Sequence, residues 1–421
     1  MSKKNTQSVK LWTKDFTILT VGSMISMLGS AFSSFAVCLM VLEFTKSTFL
    51  YALFNVIYML PNAIVPMICG PFLDRFSRKK TIYFLDFLTA ALYLLMAVVI
   101  HIITFDYTIV ALGCLLLGTI NSIYLVAYDS LYPMLLSEGN YSKGYSVAST
   151  IETLALVMVP LSAFAYNSIG IVPIFIINAI SYFIAAVFET QISTKETYID
   201  KQNDAHKDDK KSMGGQLVSD FREGMKYLKA EPGLLLISAF FIVLSFSTGA
   251  ANSITLPYFK ERYLEIGEYL FMIVWAGKAI GRALGGAIHY KWKVPPKAKW
   301  LIALIAGVGT ALFDGVYLFL PLAFMVVLFF LSGIMGTTAY NVRISGTQQY
   351  VPDEKKGRFN GTFNTLTTLG TIVGQLSAGA LAEVISIRIV ILIYMLFTAL
   401  CAVMFIGAGK KKIVPIYNVE G

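Results

Sequence analysis

Charge is the scarcest resource in this chain. Only 14% of its 421 residues are charged, against about 25% in soluble domains. Apolar residues make up 56% and the mean hydropathy is +0.68. So few charges cannot coat a soluble protein of this length, which excludes an ordinary water-soluble fold. Histidine is nearly as sparse. His101, His206 and His289 stand far apart without metal-ligand company, so no metal is expected. Cys38, Cys69, Cys114 and Cys401 all lie inside apolar runs, which argues for buried thiols against a disulfide framework. There is no phosphate-binding glycine loop, so ATP is not the expected energy source and no cofactor is implied. No nucleophile–base pair stands out, which argues against an enzyme.

What is present is a series of long apolar runs. A membrane-crossing helix needs about 20 such residues, and the runs predict helices at 15–43, 48–73, 80–103, 108–136, 143–167 and 171–190. A second set follows at 233–259, 267–290, 298–319, 321–349, 358–383 and 387–408. Only Pro321 marks the break between the third and fourth of that set. The expected fold is an all-α integral membrane protein of twelve spans. The first apolar run is too long for a signal-peptide core and reads as an uncleaved span.

The net charge of +9 suggests nucleic acid until its placement is read. No nucleic-acid-binding pattern occurs, and the basic residues fall in alternate loops. Twenty-seven Lys and Arg lie on the side of the N-terminus, four lie opposite, and three fall inside spans. This bias places both termini in the cytoplasm of a cell membrane, on the expectation of a bacterial host. Residues 191–215 are polar and read as a linker. Leu217, Phe221, Met225 and Leu228 then recur at helical spacing among charges, which predicts an amphipathic surface helix ended by Glu231-Pro232-Gly233. The resulting organisation is a six-helix bundle over 1–190, a linker with that helix over 191–232, a second bundle over 233–408, and a basic cytoplasmic tail over 409–421.

The halves repeat weakly. Ser137-Glu138 through Lys143-Gly144-Tyr145 precedes span five, and Pro352-Asp353 through Lys356-Gly357-Arg358-Phe359 precedes span eleven, an offset of about 214 residues. The same offset sets Gly70 near Gly286. A repeated pair of six-helix bundles is a transporter architecture, with its substrate site between the repeats.

The loop after span two reads Gly70-Pro71-Phe72-Leu73-Asp74-Arg75-Phe76-Ser77-Arg78-Lys79-Lys80. It resembles the signature of the major facilitator superfamily, with Ser77 where the family often has Gly. The first span, with Phe16, Leu19, Gly22, Ser26 and Leu28-Gly29-Ser30, resembles that superfamily's macrolide-efflux branch, as does Asp220-Phe221-Arg222-Glu223-Gly224. The resemblance implies two pseudo-symmetric bundles working by alternating access. It also implies a conformational latch at Gly70, Asp74, Arg75 and Arg78. Asp74 facing the positive end of span eleven contributes a few tenths to about 1 kcal/mol. Two features of the family's antiporters are missing: a basic residue early in span four, and a Gly-Pro in span five, where Val159-Pro160 stands.

An ionisable residue at the bilayer centre costs at least about 2.5 kcal/mol, so each requires a reason. The first half offers Asp86, Asp129 and Glu152; the second offers Lys278, Arg282 and Arg343. Asp129 and Arg343 match across the repeat offset, and Lys278 and Arg282 share one helix face. The expectation is two charge pairs, Asp129–Arg343 and Glu152–Lys278/Arg282, opening and closing with the transport cycle and releasing on protonation. The alternatives are static pairs or side chains reaching the headgroups. Asp86 reads as structural, and Glu43, Asp314 and Glu383 as helix-end residues.

Ser26, Ser33, Asn121, Tyr124, Tyr128, Asn252, Thr255 and Tyr340 are the candidates for lining a substrate cavity, with helix packing as the alternative for each. The function expected is proton-coupled efflux of a hydrophobic or amphiphilic small molecule by a monomer in contact with membrane lipids, without nucleic acid. Transport of an anionic solute such as a siderophore or lipid, and a non-transporting receptor on the same fold, are the rival readings.

Overall fold

The computed structural model describes residues 11–73, 76–137, 141–194, 196, 213–291 and 294–418. Contacts divide the chain into two compact units, 1–46 with 57–212, and 47–56 with 213–421. The first turns of the second helix therefore belong with the second unit.

The helices of the first half are α1 (Lys14–Thr45), α2 (Thr48–Leu73), α3 (Arg78–Ile103), α4 (Tyr107–Leu135), α5 (Tyr141–Ile169) and α6 (Ile171–Glu189). Their starts are chemically marked. Thr13 Oγ1 accepts from the Phe16 amide at 3.3 Å, Ser77 Oγ from Lys80 at 3.3 Å, and Asp106 Oδ1 from Ile109 at 2.9 Å. Each satisfies an N–H that the helix itself leaves without a partner. Within this unit α3 packs on α6 and α4, and α1 packs on α6 and α5. Phe16, Leu19, Ile82, Leu85, Leu131 and Tyr132 form the buried seam. The outer faces are apolar as well: Ile102 and Phe164 are 73% and 65% exposed, as faces turned to lipid must be.

The second half holds α7 (Met213–Ala230), α8 (Pro232–Tyr263), α9 (Gly267–Lys291), α10 (Pro296–Val316), α11 (Leu322–Tyr350), α12 (Asp353–Ala382), α13 (Ile387–Cys401) and α14 (Lys410–Tyr417). Pro321 is the N-cap of α11 and follows a 3₁₀ turn at Tyr317–Phe319, so the break is where the sequence placed it. Small residues set the helix spacing. Gly277, Gly281 and Gly285 on α9 lie against the carbonyls of Val326, Phe330 and Ile334 on α11. The same device joins α12 to α8, where Gly370 and Gly374 meet the Ile242 and Phe246 carbonyls. Close backbone approach of this kind is how helices associate without a hydrophobic driving force in lipid.

Two segments differ in detail from their sequence reading. The amphipathic helix forms as α7, and it docks on α12. Gly224 fits against Thr362 and the Arg358 carbonyl, Leu228 is buried, and Glu223 meets Arg358 at 2.8 Å. The basic tail folds as α14, whose Ile413, Ile416 and Tyr417 are buried among residues of α8 and α11. Its lysines stay outside, with Lys410 over the Trp300 ring at 4.6 Å.

Candidate functional site

The first unit contains a cavity of about 340 Å³ between α1, α2, α4, α5 and α6. A volume of that order accommodates a small organic molecule. Of the residues expected to line such a cavity, Ser26, Asn121, Tyr124 and Tyr128 do so, and Asp129 joins them on the same wall. Helical spacing on α4 explains the grouping: 121, 124, 125, 128 and 129 share one face. Tyr58, Tyr182, Met27 and Leu125 add apolar surface, and Ser30 and Ser34 add hydroxyls. Tyr124 and Tyr128 stack with ring centroids 5.9 Å apart. Tyr182 is fixed by a 2.5 Å hydrogen bond between its hydroxyl and Ser30. Ser33 lies elsewhere, in the packing between helices, where it accepts from Asn178 at 2.7 Å and donates to Tyr93 at 3.3 Å.

In the second unit the expected residues separate. Thr255 is buried in packing, donating to the Ala251 carbonyl at 2.6 Å and meeting the Tyr317 hydroxyl at 3.2 Å. Asn252 and Tyr340 are exposed. Arg343 is 7% exposed, and its guanidinium lies over the rings of Phe363, Tyr340 and Phe241 at 4.5, 5.0 and 5.2 Å. Aromatic faces attract a desolvated cation, but its buried Nε donor makes no hydrogen bond.

Lys278 finds its partner inside its own unit. Its Nζ lies 2.7 Å from Asp314 Oδ2 and 4.5 Å from the Phe329 ring centroid, and Ser332 donates to Asp314 Oδ1 at 2.5 Å. Asp314, read from sequence as a helix-end residue, is 2% exposed. The expected partner of Lys278, Glu152, lies on α5, and its side chain is outside the described residues. Arg282, one turn on from Lys278, is exposed.

Of the latch residues, Asp74 and Arg75 and the surroundings of Gly70 lie outside the described residues. Arg78 is placed. Its backbone N–H donates to Glu196 Oε1 at 2.8 Å, and its Nη1 donates to the Ser130 carbonyl at 3.2 Å. Glu196 also accepts from the Lys79 amide at 3.3 Å and from the Ser77 hydroxyl. A carboxylate therefore closes the N-terminus of α3, where the helix dipole favours it.

Sequence reasoning passed over two buried carboxyls, Glu268 and Glu189. Glu189, the last residue of α6, is 0% exposed, and the carboxyl of Asp86 from α3 faces it at 1% exposure. The Tyr124 hydroxyl faces Glu189 from α4. A side chain at Gly22 of α1 would come within 3.1 Å of the Glu189 Cγ and Oε1 atoms, so the glycine makes room for that carboxyl.

The model of the Major Facilitator Superfamily matches residues 19–320 and 297–416. The uncharacterized MFS-type transporter YfiS of Bacillus subtilis (strain 168) is 24% identical over 346 residues, 80% of this chain and 79% of that one. Macrolide efflux protein A of Streptococcus pyogenes is 21% identical over 284 residues, 66% of each. Among solved structures, a bacterial homologue of the iron transporter ferroportin in an inward-facing state superposes with a TM-score of 0.66 at 15% identity, covering 93% of this chain and 98% of that one. The nucleoside transporter NupG follows at 0.65 and 15%, covering 94% and 99%. At these identities the structural likenesses concern the fold.

Proposed function

This chain belongs to the Major Facilitator Superfamily and is thus a multi-pass membrane transporter; from that premise we propose that it exports a hydrophobic or amphiphilic small molecule at the expense of a proton gradient. The observation that carries the reading is the cavity of the first unit. Four tyrosines, a methionine and a leucine give it apolar and aromatic surface, serines and Asn121 give it a few hydroxyl and amide contacts, and Asp129 gives it one carboxylate. That combination suits an organic molecule with an aromatic or aliphatic body and a positively charged or hydrogen-bonding group. The similarity to a macrolide efflux protein supports the same substrate class. The bias of 27 to four basic residues supports a cell-membrane topology with both termini in the cytoplasm.

Three cations in the second half, Lys278, Arg282 and Arg343, favour the rival reading of an anionic solute. The Lys278–Asp314 pair neutralises one of them, which weakens it. The matching repeat positions of Asp129 and Arg343 keep them candidates for a charge pair made and broken during the cycle.

Proteoliposome transport tests the proposal. The substrates to compare are a lipophilic cationic dye, a macrolide and an anionic organic solute, each with and without a pH gradient. Gradient-dependent movement of the first or second is expected, with the Asp129→Asn variant slowed about tenfold on the cation. Movement of the anion alone, unaffected by that substitution, would overturn it.

A further inference from the structure

Among the described residues, the other deeply buried acids are compensated by cations. Asp314 is paired with Lys278 at 2.7 Å, and Glu268, 1% exposed, is paired with Lys260 at 2.8 Å. Asp86 and Glu189 break that pattern. Both are as deeply buried, they face each other, and among the described residues no Lys, Arg or His pairs with either. Among the described residues the titratable groups near them are tyrosines: Tyr124 and Tyr128 from α4 and Tyr182 from α6 itself. From α1 the neighbouring position is Gly22, which presents no side chain.

The polar atoms here are also unsatisfied. Asp86 Oδ2, both carboxyl oxygens of Glu189 and the Tyr124 hydroxyl are buried and make no hydrogen bond of good geometry. A buried polar group left in that condition costs stability, and two adjacent carboxylates shut off from water cannot both carry charge without a counterion. The smallest species that resolves both problems is a proton. It neutralises one carboxyl and turns it into a donor to the other. Two carboxyls are too few for a divalent cation, whereas one shared proton suffices for both.

We propose that Asp86 and Glu189 form a proton-binding site, coupled to the cavity of the first unit through Tyr124. Tyr124 belongs to both: its ring lines the cavity and its hydroxyl faces Glu189. Tyr182, a second cavity wall, feels the same carboxyls and is tied to Ser30. The pair alternates between one shared proton, with one negative charge, and two protons, with none. The singly protonated form favours a cationic molecule in the adjoining cavity and the doubly protonated form disfavours it. Linkage makes the effect reciprocal, so a bound cation expels the second proton. The role in coupling rests on the transport reading above, whereas proton binding itself does not.

The test uses the full chain in lipid nanodiscs and compares wild type with Asp86→Asn, Glu189→Gln and Tyr124→Phe. Infrared difference spectra taken across neutral pH report carboxylic-acid carbonyls directly. Wild type is expected to show such a band, titrating with pH and indifferent to sodium, that is lost in both carboxamide variants. Tyr124→Phe, which removes one hydroxyl and keeps the ring, is expected to shift the band without removing it. Binding of tetraphenylphosphonium is measured on the same samples. Its affinity should change by about tenfold or more across neutral pH in wild type and less than about twofold in Glu189→Gln. A band unaltered by both carboxamide substitutions would overturn the proposal, and so would one that responds to sodium and not to pH. If the band behaves as expected while a pH gradient drives no transport, the proton site stands and the transport reading fails. Monodisperse elution of each variant establishes that the comparison is between folded proteins.

Discussion

Lys278 of α9 and Asp314 of α10 are joined at 2.7 Å within the second unit, under the ring of Phe329. Breaking such a buried pair from one side leaves an uncompensated charge, at a cost of about 3–5 kcal/mol. Asp314→Asn is therefore expected to lower the thermal midpoint of the purified protein sharply, and Lys278→Met to do the same. The double variant should recover much of the loss, since a buried pair contributes little against an apolar replacement. A double variant as unstable as the sum of the singles would show that the two side chains act separately.

Gly281 of α9 lies against the Phe330 carbonyl of α11, in a space that a Cβ would fill. Gly281→Ala should cost about 1–3 kcal/mol by forcing the two helices apart. Gly286, on the same helix, has open space around it, and Gly286→Ala is the matched control. Thermal unfolding in detergent reads both; equal midpoints for the two variants would contradict this packing account.

The helices themselves were legible because a membrane span is a matter of length and apolarity, both written in one dimension. Even the weak break at Pro321 survives as an N-cap. Partners were less legible, because they are chosen in three dimensions. Lys278 and Asp314 lie 36 residues apart, and nothing local in either helix announces the other. Glu189, at the end of α6 beside Thr190, carries no local signal of its burial. Its burial depends on Gly22, whose missing side chain makes the space. The tail was readable in principle: Ile413, Ile416 and Tyr417 recur at one helical face beside the lysines.

Glu383, at the end of α12, accepts from the Phe49 amide at 2.9 Å and the Ser47 hydroxyl at 2.7 Å, at the start of α2. The Phe49 amide first, then Ser47, hold its carboxyl below the usual glutamate range. A depressed value means that this anchoring is fully present above the ordinary glutamate pKa and is lost as pH falls through the lowered one. Hydrogen exchange at Phe49, corrected for its intrinsic pH dependence, should become faster on acidification. Glu383→Gln should flatten that response. Protection that stays constant with pH in the wild type would remove the carboxylate from this role.

The Asp129 and Arg343 proposal has its own test. Each single charge reversal is expected to reduce transport by about tenfold or more, in line with coupling energies of about 1–3 kcal/mol. The double reversal, Asp129→Arg with Arg343→Asp, should restore a measurable part. Full loss in the double variant, with normal expression, leaves the two residues without a shared function.

Proton-driven export is the central claim, and simultaneous measurement of substrate and proton movement in one population of proteoliposomes tests it most directly. With an outwardly directed gradient of a lipophilic cation and no imposed pH difference, the account requires protons to move inward as the cation leaves. A voltage clamp of potassium and valinomycin removes any passive electrical cause. Wild type should show coupled proton uptake, abolished in Glu189→Gln. Cation efflux at full rate with no accompanying proton movement would contradict the account.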